Sequence, residues 1–223
     1  MNYWPHDAHM HLPIVKSIPC IVNASSIEEY KRLKATSHEH MYISCGIHPW
    51  YADQTDLKAI LPCIIEADFL GEIGLDKPWC EVPFEIQKEA FICQLQEVNK
   101  TTFLHTKGYE KEILDIISLF PRKYVVHWYS SEDYIDDYLK LDCFFTIGPI
   151  VNEVLVKKIP LNRLLIESDG LEAIEWALER KVSEKEYIDV LENTVKQVAK
   201  LKKVSVDEVK LNLSQNFSAL TCI

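Results

Sequence analysis

The sequence is poor in glycine: six glycines and ten prolines in 223 residues exclude collagen-like and low-complexity chains. No apolar run approaches the roughly 18 residues of a membrane span. The segment Met1–Asp7 has neither the basic nor the apolar stretch of a signal peptide, so a cytoplasmic protein with no membrane association is expected. No Cys-x-x-Cys pair occurs. The seven cysteines fall singly at 20, 45, 63, 80, 93, 143 and 222, several inside apolar runs. Buried reduced thiols fit this better than a disulfide framework or a zinc knuckle. Positive charge is also scarce. Against 34 acidic residues stand 24 basic ones, a formal net charge of −10. The bulk field repels anions, so a polyanion must be drawn in by a local patch or by bound cations. Finally, no Gly-x-Gly-x-x-Gly or P-loop follows the first strand, which weakens a nucleotide-binding doubly wound sheet.

What is present reads as a globular α/β chain. Hydrophobic residues make up 48% and charged residues 26%, ordinary for a packed core. Short apolar runs recur: Cys20-Ile21-Val22, Met41–Gly46, Phe69–Gly74, Thr102–His105, Tyr124–His127, Cys143–Gly148 and Leu164–Glu167. A weaker eighth is Asp7–His11. Most lack polar alternation, as expected of parallel strands buried on both faces. Between them, helices are predicted over roughly 54–66, 84–98, 109–119 and 132–140. Capping boxes begin at Ser26, Ser183 and Ser205. After the second, Tyr187, Ile188, Leu191, Val195, Val198 and Ala199 recur at helical spacing. About eight strands alternating with helices predict a (βα)8 TIM barrel, as a single domain over residues 1–223. A doubly wound open sheet is the competitor.

The polar residues sit where such a barrel places its chemistry, at the C-terminal strand ends. His9 and His11 lie two apart on one strand and point the same way. Asp7 is in phase with them but deeper. Glu72, His105, His127 and Asp169 end or follow other runs. Four imidazoles and two carboxylates suit Zn2+, Mn2+, Fe2+ or Co2+, and Mg2+ if waters complete the shell. Six ligands exceed the needs of one ion, so two ions sharing a bridging carboxylate are expected. His6, His38 and His40 read as packing or solvated residues. Glu167 is open between a seventh place in the site, the barrel base, and a hydrogen bond to a donor behind the site.

In order, the motifs are Asp7-Ala8-His9-Met10-His11, Gly46-Ile47-His48-Pro49, Gly71-Glu72-Ile73-Gly74-Leu75-Asp76, His105, His127-Trp128-Tyr129-Ser130 and Glu167-Ser168-Asp169. The series resembles the TatD-type metal-dependent deoxyribonucleases, within the amidohydrolase-like barrels, over nearly the whole chain. The resemblance implies two divalent ions (Mg, Mn or Zn). His9, His11 and Asp169 would hold one, His105 and His127 the other, and Glu72 would bridge them. His48 would contact a substrate phosphate. The reaction implied is phosphodiester hydrolysis of DNA, often exonucleolytic from a 3′ end, with catalysis centred on Asp169 and Glu72. Glu72 stands where phosphotriesterase-like barrels carry a carbamylated lysine.

Departures from the family pattern bear on substrate more than on metal: Ser131 replaces a glycine, and Gly170-Leu171 replaces a small residue and proline. Trp50 and Trp128 are the candidates for stacking on bases of a single strand or an end. Lys77, Lys107 and Lys111 are weaker candidates for backbone phosphates. The alternatives are a metal-dependent hydrolase of another ester or amide bond and a scaffold or regulatory subunit. Compact proteins of this type also occur in bacterial defence assemblies, so a nuclease subunit with protein partners is a further expectation.

Overall fold

Parallel strands buried on both faces dictate the architecture. The computed structural model describes residues 4–13 and 18–221. Eight parallel strands run in sequence order: β1 Asp7–Met10, β2 Cys20–Ala24, β3 Met41–Cys45, β4 Phe69–Asp76, β5 Thr102–Lys107, β6 Tyr124–His127, β7 Phe144–Ile147 and β8 Leu164–Ile166. Every strand expected from the apolar runs is present, and the sheet curls into a nearly closed TIM barrel. At its seam the Asp169 N–H donates to the His9 carbonyl at 3.0 Å, tying β8 to β1. Helices cover the outside: α1 Ile27–Thr36, α2 Leu57–Glu66, α3 Phe84–Glu97, α4 Glu110–Ile117, α5 Ile135–Lys140, α6 Glu153–Lys158, α7 Leu171–Leu178, α8 Tyr187–Lys202 and α9 Val206–Thr221. Among the described residues, no helix is long and apolar enough to cross a membrane.

Two capping boxes work as expected. Ser26 Oγ accepts from the Glu29 N–H, and Ser205 Oγ from that of Glu208. Ser183 differs: it pairs with Glu186 in a turn that closes before α8 begins at Tyr187. Six of the cysteines are free, four of them buried; Cys222 lies outside the described residues.

The barrel interior has two layers of opposite character. Near the strand starts, Ala8, Ile21, Phe69, Phe103, Val125, Phe144 and Leu165 pack together, capped by Phe217 and Leu220 of α9. Asn216 anchors that cap by donating to the carbonyls of Leu161 and Leu164. His6 packs against Phe217 at this end, away from the polar layer. That layer lies at the opposite end, on this apolar floor.

Candidate metal centre

Local backbone geometry aims the polar side chains inward. Gly71 and Gly74 have φ of +137° and +150°, a region side chains disfavour. They also let β4 approach β5 closely: an added Cβ would fall 2.7 Å from the Phe103 carbonyl oxygen at Gly71, and closer still to that of His105 at Gly74. Glu72, between them, is 1% exposed and reaches the barrel axis.

Glu72 divides its two oxygens between two groups of donors. Oε2 lies 3.4 Å from His9 Nε2 and 3.6 Å from His11 Nε2. Asp169 Oδ1 completes this first group, 3.5 Å from His9 Nε2 and 3.4 Å from His11 Nε2. On the other side, Glu72 Oε1 is 2.6 Å from His105 Nδ1, 3.7 Å from His127 Nε2 and 3.8 Å from His48 Nε2. The structure thus brings together all six residues expected as ligands, with His48 beside the second group.

The first group fits a metal ion. Ligands about 2.1 Å from a tetrahedral ion stand about 3.4 Å from one another, which is the spacing seen. Although they face each other, His9 Nε2 and Asp169 Oδ1 are buried without a hydrogen-bond partner. Such atoms are costly unless something satisfies them. Charge argues the same way. Burial opposes ionisation of Glu72, but the facing imidazoles of His127 and His105 hold its carboxyl well below the ordinary range. Burial likewise opposes charge on His9, yet Asp169 and Glu72 outweigh it and raise its pKa well above normal. Buried carboxylates here demand positive charge beside them.

A second ring of groups fixes which nitrogen of each imidazole points inward. Glu167 Oε2 lies 3.0 Å from His127 Nδ1, which resolves its role: it backs His127. Asp76 Oδ2 lies 2.9 Å from His105 Nε2 and also accepts from the Trp50 indole at 2.7 Å. Asn23 stands 3.0 Å from His9 Nδ1. Neither Asp76 nor Asn23 was expected from the sequence. Asp76 had a signal, since it shares a strand face with Glu72 at i, i+4. His48 Nδ1 accepts from the Trp50 N–H. Its Nε2 lies 3.2 Å from His105 Nδ1, and burial, then the neighbouring His105, lowers its pKa to about 3.

Asp7 departs from the simple alternation. The pairing of β1 with β2 shifts register between Asp7 and Met10, and the Asp7 carboxylate turns to α8. Oδ2 accepts from Tyr187 Oη at 2.5 Å, and Oδ1 from the N–H groups of His9 and Ser168. Burial raises its pKa to about 6 despite these bonds. Asp7 is a strut under the site. Asp7→Ala strands three buried donors and is expected to cost about 3 kcal/mol, lowering Tm by about 10 °C in thermal unfolding. A shift below about 2 °C would deny it that role.

Of the other expected substrate contacts, Trp50 is 43% exposed at the rim, in a single turn Pro49–Tyr51. Trp128 follows His127 and packs edge-to-face with Trp176. Lys111 is taken by Asp115 on its own helix, and Lys77 lies over the Tyr109 ring. Lys107 is buried and donates to the Trp128 carbonyl.

Residues 7–221 match the family model described as TatD related DNase. The uncharacterized metal-dependent hydrolase YabD of Bacillus subtilis is 28% identical over 222 residues, covering 91% of this chain and 83% of YabD. A Vairimorpha ceranae protein, provisionally named a deoxyribonuclease TATDN1 homolog, is 28% identical over 70% of this chain and 62% of its own length. Among solved structures, the TatD homolog YjjV of Escherichia coli superposes with a TM-score of 0.81 at 20% identity, over 99% of this chain and 98% of that one.

Proposed function

The chain belongs to the TatD related DNase family, and on that premise we propose that it is a two-metal phosphodiesterase cleaving DNA, as a 3′-exonuclease-like deoxyribonuclease. The observation that carries the reading is the divided carboxylate of Glu72, with one oxygen toward each donor group. One ion would be held by His9, His11, Asp169 and Glu72, the other by Glu72, His105 and His127. When bound, such ions activate a water as nucleophile and offset the charge growing on the phosphate oxygens.

The chain's own residues do the rest. Asp169 stands at the mouth, 19% exposed in its side chain, where it can take a proton from the attacking water. Its φ of +60° is held by the hydrogen bond to the His9 carbonyl. Neutral His48 offers an N–H to a phosphate oxygen. Trp50 and Trp128 line the approach, and the apolar floor excludes bulk water beneath the site. Mg2+, Mn2+ and Zn2+ all remain compatible with this donor set.

A second reading, hydrolysis of another ester or amide bond, draws support from the net charge of −10 and the few free cations near the mouth. One experiment separates the two. Metal-stripped protein is given Mg2+, Mn2+ or Zn2+ singly and incubated with 3′- or 5′-labelled single-stranded DNA. Metal-dependent shortening from the 3′ end is expected. No cleavage, with ions bound by elemental analysis, would overturn the phosphodiester reading and favour the second.

A further inference from the structure

The rim beside the second donor group carries an aromatic corner. Trp128 has a backbone φ of +32°, a region that bulky residues enter only when their surroundings hold them. Three groups hold it. Thr146 Oγ1 accepts from its N–H at 2.9 Å. The Lys107 ammonium donates to its carbonyl at 2.5 Å. The indole lies against Gly148, where an added Cβ would come within 2.8 Å of the ring. The ring is fixed, its centre 6.4 Å from that of His127.

Against it stands Trp176, from α7. The two ring centres are 6.1 Å apart and the planes 75° from parallel. Trp176 is 67% exposed, while α7 packs into the core through Ile174. Core packing therefore does not account for a tryptophan at 176. An exposed indole next to a fixed one, at the edge of a hydrolytic site, is a surface for a flat ring.

The phosphodiesterase reading names the ring as a nucleobase. A net charge of −10 repels a polyanion, so contacts to a base matter more for affinity than contacts to phosphate. Stacking supplies affinity without cations and tolerates any base.

We propose that Trp128 and Trp176 form a stacking corner for one nucleobase and that Trp176 is a specificity residue. This rests on the phosphodiesterase reading for its cleavage readout, though not for its binding readout. The test measures quenching of tryptophan fluorescence by a thymidine tetranucleotide, at times too short for cleavage. A second tetramer lacks the base beside the terminal phosphodiester.

Loss of the base is expected to weaken wild-type binding about tenfold. Trp176→Ala should lose about as much on the intact tetramer and little more on the abasic one; Trp176→Phe should recover most of the loss. Leu119→Ala, a control at an exposed residue after α4, should bind like wild type. Equal losses from Trp176→Ala on both tetramers would overturn the corner, as would wild-type binding indifferent to the base. Base-dependent binding without cleavage would support the corner and remove the nuclease reading. Cleavage with no base dependence would do the reverse.

Discussion

Glu72→Gln is expected to lower metal-dependent hydrolysis about 10⁴-fold, with one ion or none retained by elemental analysis. The substitution keeps the side chain's volume but removes its charge and one of its two equivalent oxygens. Both donor groups depend on those oxygens: Oε2 lies 3.4 Å from His9 Nε2 and Oε1 2.6 Å from His105 Nδ1. A neutral amide cannot serve both, and its NH2 would point a donor at one of them. Asp169→Asn is expected to cost a similar factor, because it weakens the first group and removes the proton acceptor at the mouth. Glu167→Gln makes the contrast. Glu167 touches His127 Nδ1 from behind, so its loss should cost only about 10–100-fold. A Glu72→Gln enzyme retaining more than about a tenth of wild-type activity would be incompatible with a bridging role.

The clustering of His9, His11, Glu72, His105, His127 and Asp169 was legible in the sequence because two kinds of pattern coincide at them. Unbroken apolar runs identify strands buried on both faces, and a parallel barrel gathers the ends of such runs on one rim. His9 and His11 add the two-residue spacing of one strand face. The structure shows where these patterns fail. The apolar run in the sequence spans Phe69–Gly74. The strand instead continues to Asp76, and the glycine serves the close approach to the His105 carbonyl. Asp76, the support of His105, therefore lies beyond the run that marks the strand. Glu167 was ambiguous because it falls just beyond β8, where strand alternation no longer says which way a side chain points. Trp176 escaped because a helix period cannot say that α7, starting directly after Gly170, brings its second turn to the rim. The Lys111–Asp115 pair was readable as an i, i+4 ion pair, which argues against Lys111 as a phosphate contact.

Chelation is expected to abolish activity and to lower Tm by about 10 °C, reversibly on adding metal back. The donors come from positions 9 to 169, and in the unfolded chain only His9 and His11 remain close. Ions thus bind the native state almost exclusively, and their binding free energy becomes folding free energy. At a free metal concentration about 1,000 times Kd the gain is about 4 kcal/mol. For a chain of this size each kcal/mol moves Tm by about 2–4 °C. The donor set also explains the direction. The buried carboxylates of Glu72, Glu167 and Asp76 face histidines, and His9 Nε2 and Asp169 Oδ1 are unpartnered. An ion satisfies both atoms and replaces protons on His9 and His105, whose pKa values the carboxylates hold up against burial. Metal binding should therefore release protons, measurable in weakly buffered solution. Glu72→Gln should flatten the rise of Tm with metal concentration, because neither donor group keeps its shared anion. If elemental analysis shows that the chelator has stripped the protein and Tm has not moved, the two-ion centre is refuted.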